Sequence, residues 1–328
     1  MNNPTAVWQR QLAEAFNNVY DLCRYLQIEP ASLPLLTEFK DFPLRVPRGF
    51  AACMQKGNPQ DPLLRQVLPL QDELMHFPGY SHDPVGDLAA ITETGVIHKY
   101  RRRVLLITTG GCAVHCRYCF RRHFPYAEVQ LSGQRMRQAL AYIASRSEID
   151  EVILSGGDPL LLSDEKIAAL LQSLSEMTHI RRIRIHSRIP VVLPDRMTES
   201  LLQILSAPRQ PVILVLHANH GNELSPAVSG ACTRLKQNHI TLLNQSVLLR
   251  DVNDDETSLT QLSEKLFDLG ILPYYLHCLD RAVGVGHFEV TEAHAQALLQ
   301  SLERNLPGYL VPKLVKEQAG ALHKIRIA

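Results

Sequence analysis

An excess of charge of either sign is missing from this 328-residue chain, in which 34 Lys and Arg face 33 Asp and Glu for a formal net charge of +1. A nucleic-acid partner usually demands a basic surplus, so none is expected. The basic runs Lys99-Tyr100-Arg101-Arg102-Arg103 and Arg181-Arg182-Ile183-Arg184 are short and local. Long apolar runs are also missing, so no bilayer span is expected. Met1-Asn2-Asn3-Pro4 offers no apolar signal core. Seven cysteines, an odd number, argue against a disulfide framework. The expectation is a cytoplasmic protein whose thiols stay reduced. Hydrophobic residues at 45% and charged residues at 20% place the chain among ordinary globular proteins rather than disordered ones.

What is present is concentrated. Cys112, Cys116 and Cys119 form a C-x3-C-x2-C run in the context Gly111-Cys112-Ala113-Val114-His115-Cys116-Arg117-Tyr118-Cys119-Phe120-Arg121-Arg122. Thiolate is the usual protein ligand of a [4Fe–4S] cluster, and three cysteines would leave one of its four irons open for chemistry. A structural zinc site is the alternative, but zinc wants four ligands. His115 and His123 are near, yet Cys23, Cys53, Cys232 and Cys278 make no second C-x2-C pair. Unligated core thiols are the third reading. The spacing resembles that of the radical S-adenosylmethionine (SAM) enzymes. That resemblance implies that the open iron binds SAM, which one electron cleaves to a 5′-deoxyadenosyl radical.

Regular structure begins near residue 103. Apolar, β-branched runs at Val104–Thr108, Glu151–Leu154, Arg181–Ile185, Val212–Leu216, Thr241–Leu248 and Ile271–Leu276 alternate with helical stretches near 133–145, 164–177, 196–206, 224–237, 255–268 and 291–304. Alternating strand and helix argues for an α/β fold with a parallel sheet. A further run, Tyr309–Val315, leads towards the C-terminus. Upstream, Val7 to Leu26 carries helical periodicity, with Leu12, Phe16, Val19, Leu22 and Leu26 near one face. Prolines from Pro30 to Pro84 then make long helices unfavourable. Three regions are expected: a mainly helical or irregular accessory layer at 1–98, a core at 99–308, and a C-terminal strand and lysine segment at 309–328. Six strand–helix units resemble the partial (β/α)6 barrel of the radical SAM family.

In α/β barrels the chemistry sits at the C-terminal ends of the strands. Polar residues fall there: Cys112 after the first strand, Ser155-Gly156-Gly157-Asp158 after the second, His186-Ser187-Arg188 after the third and His217-Ala218-Asn219-His220 after the fourth. Gln245 lies in the fifth, and Asp280 follows the sixth. A lone Gly-Gly is ordinarily a tight turn, and a lysine near a terminus is ordinarily a solvated charge. Ser155-Gly156-Gly157-Asp158-Pro159-Leu160 is similar to the GGE or GGD run that contacts the SAM amine in the radical SAM family.

From residue 98 to 324 the chain resembles the lysine 2,3-aminomutase family, which joins radical SAM chemistry to pyridoxal 5′-phosphate (PLP). The matches include His98–Thr108, Cys116–Arg122, Ile153–Asp158, Asn244–Asp254, Tyr274–Asp280 and Gly286-His287-Phe288. The resemblance implies that Lys324 forms the Schiff base with PLP, and that Lys99, Tyr100 and Arg103 cradle PLP and its phosphate. It implies that Arg121 holds the substrate carboxylate, and that Asp280 and Glu317 hold the ε-ammonium of L-lysine. Ser155, Gly156, Gly157, Asp158, His186, Arg188 and Gln245 are expected to touch SAM or PLP. A reductant such as flavodoxin or ferredoxin is implied as well. Three features depart from the catabolic enzymes: Lys99 replaces an arginine, Glu317 replaces an aspartate, and Gly320-Ala321-Leu322-His323 replaces a glycine run. Together with an end four residues after Lys324, they resemble the subgroup that makes (R)-β-lysine for elongation factor P and its lysyl-ligase.

Overall fold

The structure, a computed structural model, describes residues 6–37, 42–93, 96–129 and 133–327. Its frame is one sheet of ten strands in which spatial order follows sequence order. The strands are β1 (Ile91–Glu93), β2 (Val96–Tyr100), β3 (Arg103–Thr109), β4 (Glu151–Gly156), β5 (Arg182–Ser187), β6 (Val212–His217), β7 (Thr241–Val247), β8 (Leu272–His277), β9 (Lys313–Lys316) and β10 (Ile325–Arg326). Strands β3 through β9 run parallel, while β1, β2 and β10 pair antiparallel at the two edges. Helices Gly133–Ala144, Asp164–Ser175, Glu199–Ser206, Pro226–Gln237, Glu256–Asp268 and Glu292–Asn305 follow β3 to β8 in turn, giving the six expected repeats. Several of these helices begin at a side-chain cap: Thr198, Ser225, Asp255 and Thr291 each accept a backbone N–H from the first turn. Strand β4 is buried along nearly its whole length, as expected of a parallel strand covered on both faces.

The sheet curves, because β2 through β10 all line one cavity. Its outer face packs against the helices. Leu154, Ile185, Leu214 and Leu242 share one core with Ile143, Leu171, Leu202 and Leu235. Leu22, Leu26, Phe50, Leu63 and Leu64 of the N-terminal layer belong to that same core. Strand β2 also crosses the expected boundary between residues 98 and 99. No helix among the described residues is long and apolar enough to cross a membrane.

Two expected elements differ. The stretch Val7 to Leu26 is two helices, Val7–Ala13 and Val19–Leu26. Asn18 separates them by accepting the N–H groups of Tyr20 and Asp21 at 2.8 and 3.3 Å, which makes it an N-cap rather than a mid-helix residue. Phe16 between them exchanges two backbone hydrogen bonds with Val46. The run Tyr309–Val315 divides into a 3-10 turn at Gly308–Leu310 and strand β9. Pro312 in between has no N–H to give to a ladder.

Candidate active site

After β3 the chain passes through Gly110 and Gly111 into the cysteine loop. The end of β4 lies against this turn, with the Gly157 N–H donating to Thr109 at 2.7 Å and the Asp158 N–H donating to Gly111 at 2.8 Å. Only glycine allows that approach. A Cβ on Gly156 would lie 2.4 Å from the Thr109 carbonyl oxygen, and one on Gly157 would lie 2.1 Å from that of Gly111. Gly156 also has φ of +131°, a value L side chains avoid. The glycine pair is thus required by the chain itself, beside any ligand it meets. Cys112, Cys116 and Cys119 line the cavity next to it. Burial and then the neighbouring Cys119 hold the Cys112 thiol well above its usual range, while burial and Cys116 push Cys119 up to about 11. Three thiols that oppose one another's ionisation in a half-enclosed wall suit a cationic iron centre. No group of three or more His, Cys, Asp or Glu among the described residues is arranged to hold a single metal ion. A cubane differs, because each thiolate meets its own iron.

Arg188 stands behind this wall. Its Nη1 donates to the Cys116 sulfur and the Tyr118 hydroxyl, each at 2.8 Å. Its Nη2 donates to Gln66 at 2.7 Å and to Glu223 at 3.0 Å. Asp158 caps the turn after β4. It accepts from the Leu160 N–H at 3.1 Å, the Ser187 hydroxyl at 2.7 Å, the Arg188 N–H at 2.8 Å and the Ile189 N–H at 3.2 Å. Burial still pushes its carboxyl up to about 6. Asp158 therefore ties the end of β4 to the end of β5.

The opposite side of the cavity is built from β2, β8, β9 and the segments beside them. Glu317, just past β9, makes a close ion pair with Lys324 and accepts the Tyr100 hydroxyl at 2.5 Å. Burial acts to raise the Glu317 carboxyl, but Lys324, Tyr100 and Lys99 outweigh it and hold it low. Asp87 joins two more cations. It lies 2.6 Å from the Lys99 ammonium and accepts from Arg121 Nε at 2.7 Å. Arg121 reaches the Ser155 hydroxyl at 3.3 Å, and the Arg103 guanidinium lies 4.9 Å from the Tyr100 ring centre. Asp280 lines the same wall without a side-chain hydrogen bond to another described residue. Burial pushes it up to about 7 against the pull of Lys324.

His186 and Gln245 also face the cavity, on β5 and β7. Burial, then Arg184 and Lys324, hold His186 well below its usual range, so it is neutral. Its Nε2 is buried without a hydrogen-bond partner among the described residues. An orphaned nitrogen in a cavity wall is a position for a ligand atom. The cavity, of about 610 Å³, therefore joins all the expected site residues, and its volume is that of a small-molecule site. Three thiols suit a cluster, and Lys324 beside aromatic Tyr275, 5.9 Å from its ring centre, suits PLP.

Sequence reasoning missed Asp87, Glu73, Glu223 and His277. Glu73 sits in the proline-rich N-terminal stretch and Asp87 just past it, where no periodicity or motif marks them. His277 ends β8 one turn of pleat from Tyr275, and the rim rule that found His186 and His217 could have found it.

A model of the radical SAM superfamily matches residues 106–259. An L-lysine 2,3-aminomutase of Escherichia coli is 47% identical over 323 residues, covering 98% of this chain and 94% of its own. That of Haemophilus influenzae is 47% identical over 285 residues, covering 87% and 84%. That of Acetoanaerobium sticklandii is 33% identical over 315 residues, covering 95% and 76%. With a thiol wall and a lysine wall facing one cavity, and with relatives of this closeness along nearly its whole length, the chain belongs to the L-lysine 2,3-aminomutase family of radical SAM enzymes, isomerases that use a [4Fe–4S] cluster, SAM and PLP.

Proposed function

We propose that this chain isomerises L-lysine to (R)-β-lysine, and that the product serves the lysyl-ligase that modifies translation elongation factor P. The observation that carries the reading is one cavity with Cys112, Cys116 and Cys119 on one wall and Lys324, Asp280 and Glu317 on the other. When bound, the cluster and SAM would supply a radical, and PLP would supply the conjugated π system that delocalises the unpaired electron while the amino group migrates.

The chain's own residues bind and orient. Cys112, Cys116 and Cys119 hold the cluster, and Arg188 fixes the Cys116 sulfur by a hydrogen bond. Ser155, Gly156, Gly157 and Asp158 shape the SAM side. Lys99, Tyr100 and Arg103 cradle the PLP phosphate, and Lys324 is its anchor. Arg121 offers a planar two-donor fork to the lysine carboxylate. Asp280 and Glu317 take the ε-ammonium, so a glutamate-like substrate would meet repulsion where lysine meets attraction. His186, neutral and with no partner for Nε2 among the described residues, and Gln245 complete the ligand contacts. Burial of these groups keeps water from the radical. A small carrier such as flavodoxin or ferredoxin delivers the electron.

The elongation factor P destination draws support from Glu317, Lys99 and Gly320-Ala321-Leu322-His323, the features that resemble that subgroup. Anaerobic incubation of the reconstituted protein with L-lysine, SAM, PLP and reductant tests the reaction, with chiral separation of α- and β-lysine as readout. The expected product is (R)-β-lysine. SAM cleavage without β-lysine would move the substrate to another amino acid. Loss of the β-lysyl mass from elongation factor P when the protein is removed from its cell tests the destination, and an unchanged mass would reject it.

A further inference from the structure

Asp87 belongs to the N-terminal layer yet reaches into the site, with its side chain 3% exposed. Each of its oxygens takes a different cation. Oδ1 lies 2.6 Å from the Lys99 ammonium, and Oδ2 accepts from Arg121 Nε at 2.7 Å. Asp83 fixes the turn that carries it, accepting the Asp87 N–H at 2.8 Å and the Leu88 N–H at 3.0 Å. Gly86, at φ of +67°, lets that turn rest on the segment between Glu317 and Lys324, since a Cβ there would lie 3.0 Å from the Ala319 Cβ. Arg121 is left with one edge to offer the cavity. Its Nε is taken by Asp87, its Nη1 reaches the Ser155 hydroxyl at 3.3 Å, and its Nη2 makes no hydrogen bond to another described residue. Lys99 also donates to the Val85 carbonyl at 2.7 Å, which leaves one of its three donors for a ligand.

We propose that Asp87 is a positioning residue of the amino-acid site: it holds Arg121 by Nε so that the Nη1 and Nη2 edge meets the substrate carboxylate, and it stands between Arg121 and Lys99 so that substrate carboxylate and cofactor phosphate each keep their own cation. The inference rests on the reading of Arg121 as the carboxylate ligand and of Lys99 as part of the PLP cradle. A guanidinium grips a carboxylate best through two parallel N–H bonds, end-on through both Nη atoms or side-on through Nε and Nη2. Asp87 occupies the side-on edge, so the end-on edge remains, and the long Ser155 contact is the one that gives way. Without Asp87, Lys99 and Arg121 would form one cationic patch on which either anion would be free to settle. Keeping a ligand from the wrong partner contributes to specificity as attraction does. Charge alone predicts the opposite outcome, because an Arg121 without its neighbouring carboxylate attracts an anion more strongly. Orientation and bare charge therefore differ in sign.

The test uses the full chain, reconstituted anaerobically and loaded with PLP, titrated by calorimetry with L-lysine and with L-lysinamide, which keeps both amines and lacks the carboxylate. The unmutated chain is expected to bind L-lysine more tightly than L-lysinamide. Asp87→Asn is expected to bind L-lysine about tenfold less tightly, the scale of coupling within one hydrogen-bond network, and L-lysinamide nearly as well as before. A general loosening of the fold would weaken both ligands alike. In an Arg121→Met background the same Asp87→Asn change is expected to cost L-lysine less than about twofold, because Asp87 acts through Arg121. Should Asp87→Asn fail to fold, Asp83→Ser loosens the turn while every buried ion pair keeps both partners, and it is expected to lose L-lysine affinity in the same selective way. L-lysine binding as tight as in the unmutated chain or tighter, an equal loss for both ligands, or an equal cost in the Arg121→Met background overturns the proposal. An Arg121→Met chain that binds L-lysine as well as the unmutated one overturns the reading of Arg121 first, and this proposal with it.

Discussion

The two walls of the cavity handle charge in opposite ways. On the cysteine wall the buried arginines are tied to side chains of the protein itself: Arg188 holds Glu223 and Gln66, and Arg117 holds Glu73. On the lysine wall the pairs involve the side chains that the substrate and cofactor need. Lys324 is held by Glu317, Lys99 and Arg121 share Asp87, and Asp280 makes no side-chain hydrogen bond to another described residue. A radical source must be fixed before it fires, whereas an amino-acid site must exchange its ion pairs with each substrate. The difference teaches where rigidity and where exchange are built into one barrel.

The largest expected effect comes from breaking the exchangeable wall at its anchor. Lys324→Ala should abolish β-lysine formation while leaving iron per chain unchanged, checked by chiral separation and iron analysis. Lost iron would show that the two walls are not independent. On the fixed wall, Arg188→Met strands the fully buried Glu223 carboxylate. It should cost about 3–5 kcal/mol of stability, read as a shifted denaturation midpoint of the cluster-free protein. Arg121→Met should act on the exchangeable side instead, weakening lysine binding by about 2–5 kcal/mol with little change in cluster content.

The smallest and most specific effect is on pH dependence. With its carboxyl pushed up to about 7, Asp280 is largely neutral at pH 6 and charged at pH 8. Lysine binding to the PLP-loaded protein should tighten as pH rises through that range, by at most about tenfold per unit. Asp280→Asn should bind weakly and lose this slope, as calorimetric titration would show. The linkage to folding has the opposite sign. An Asp raised from about 3.9 unfolded binds more protons when native, so its contribution destabilises the cofactor-free fold as pH rises from about 4 through 7. Asp280→Asn should flatten that part of the stability curve.

The repeating part of this fold was legible because its physics is local. Period-two strands, capped helices and turn glycines announce themselves within a few residues, and all six strand–helix repeats were readable. The site residues that sit at strand ends, such as His186 and Gln245, follow from that topology. Asp87 and Glu73 do not. Each acts through ion pairs to residues 12 to 49 positions away along the chain, and an isolated acid in or just past a proline-rich stretch reads as a surface charge. The break at Asn18 was missed for a related reason: an asparagine fits an amphipathic pattern on periodicity alone, and only its capping bonds show that it starts a helix.

The most direct test of the two-wall account is amide hydrogen exchange on the anaerobic protein before cluster and PLP are added, and again after PLP and lysine. Residues 112–122, pinned to Arg45, Gln66 and Glu73, should be protected from the start. Residues 316–324 should exchange fast and become protected only when PLP and lysine replace the Lys324–Glu317 pair. Equal exchange in the two segments, or a cysteine loop protected only once the cluster is built, would contradict the account.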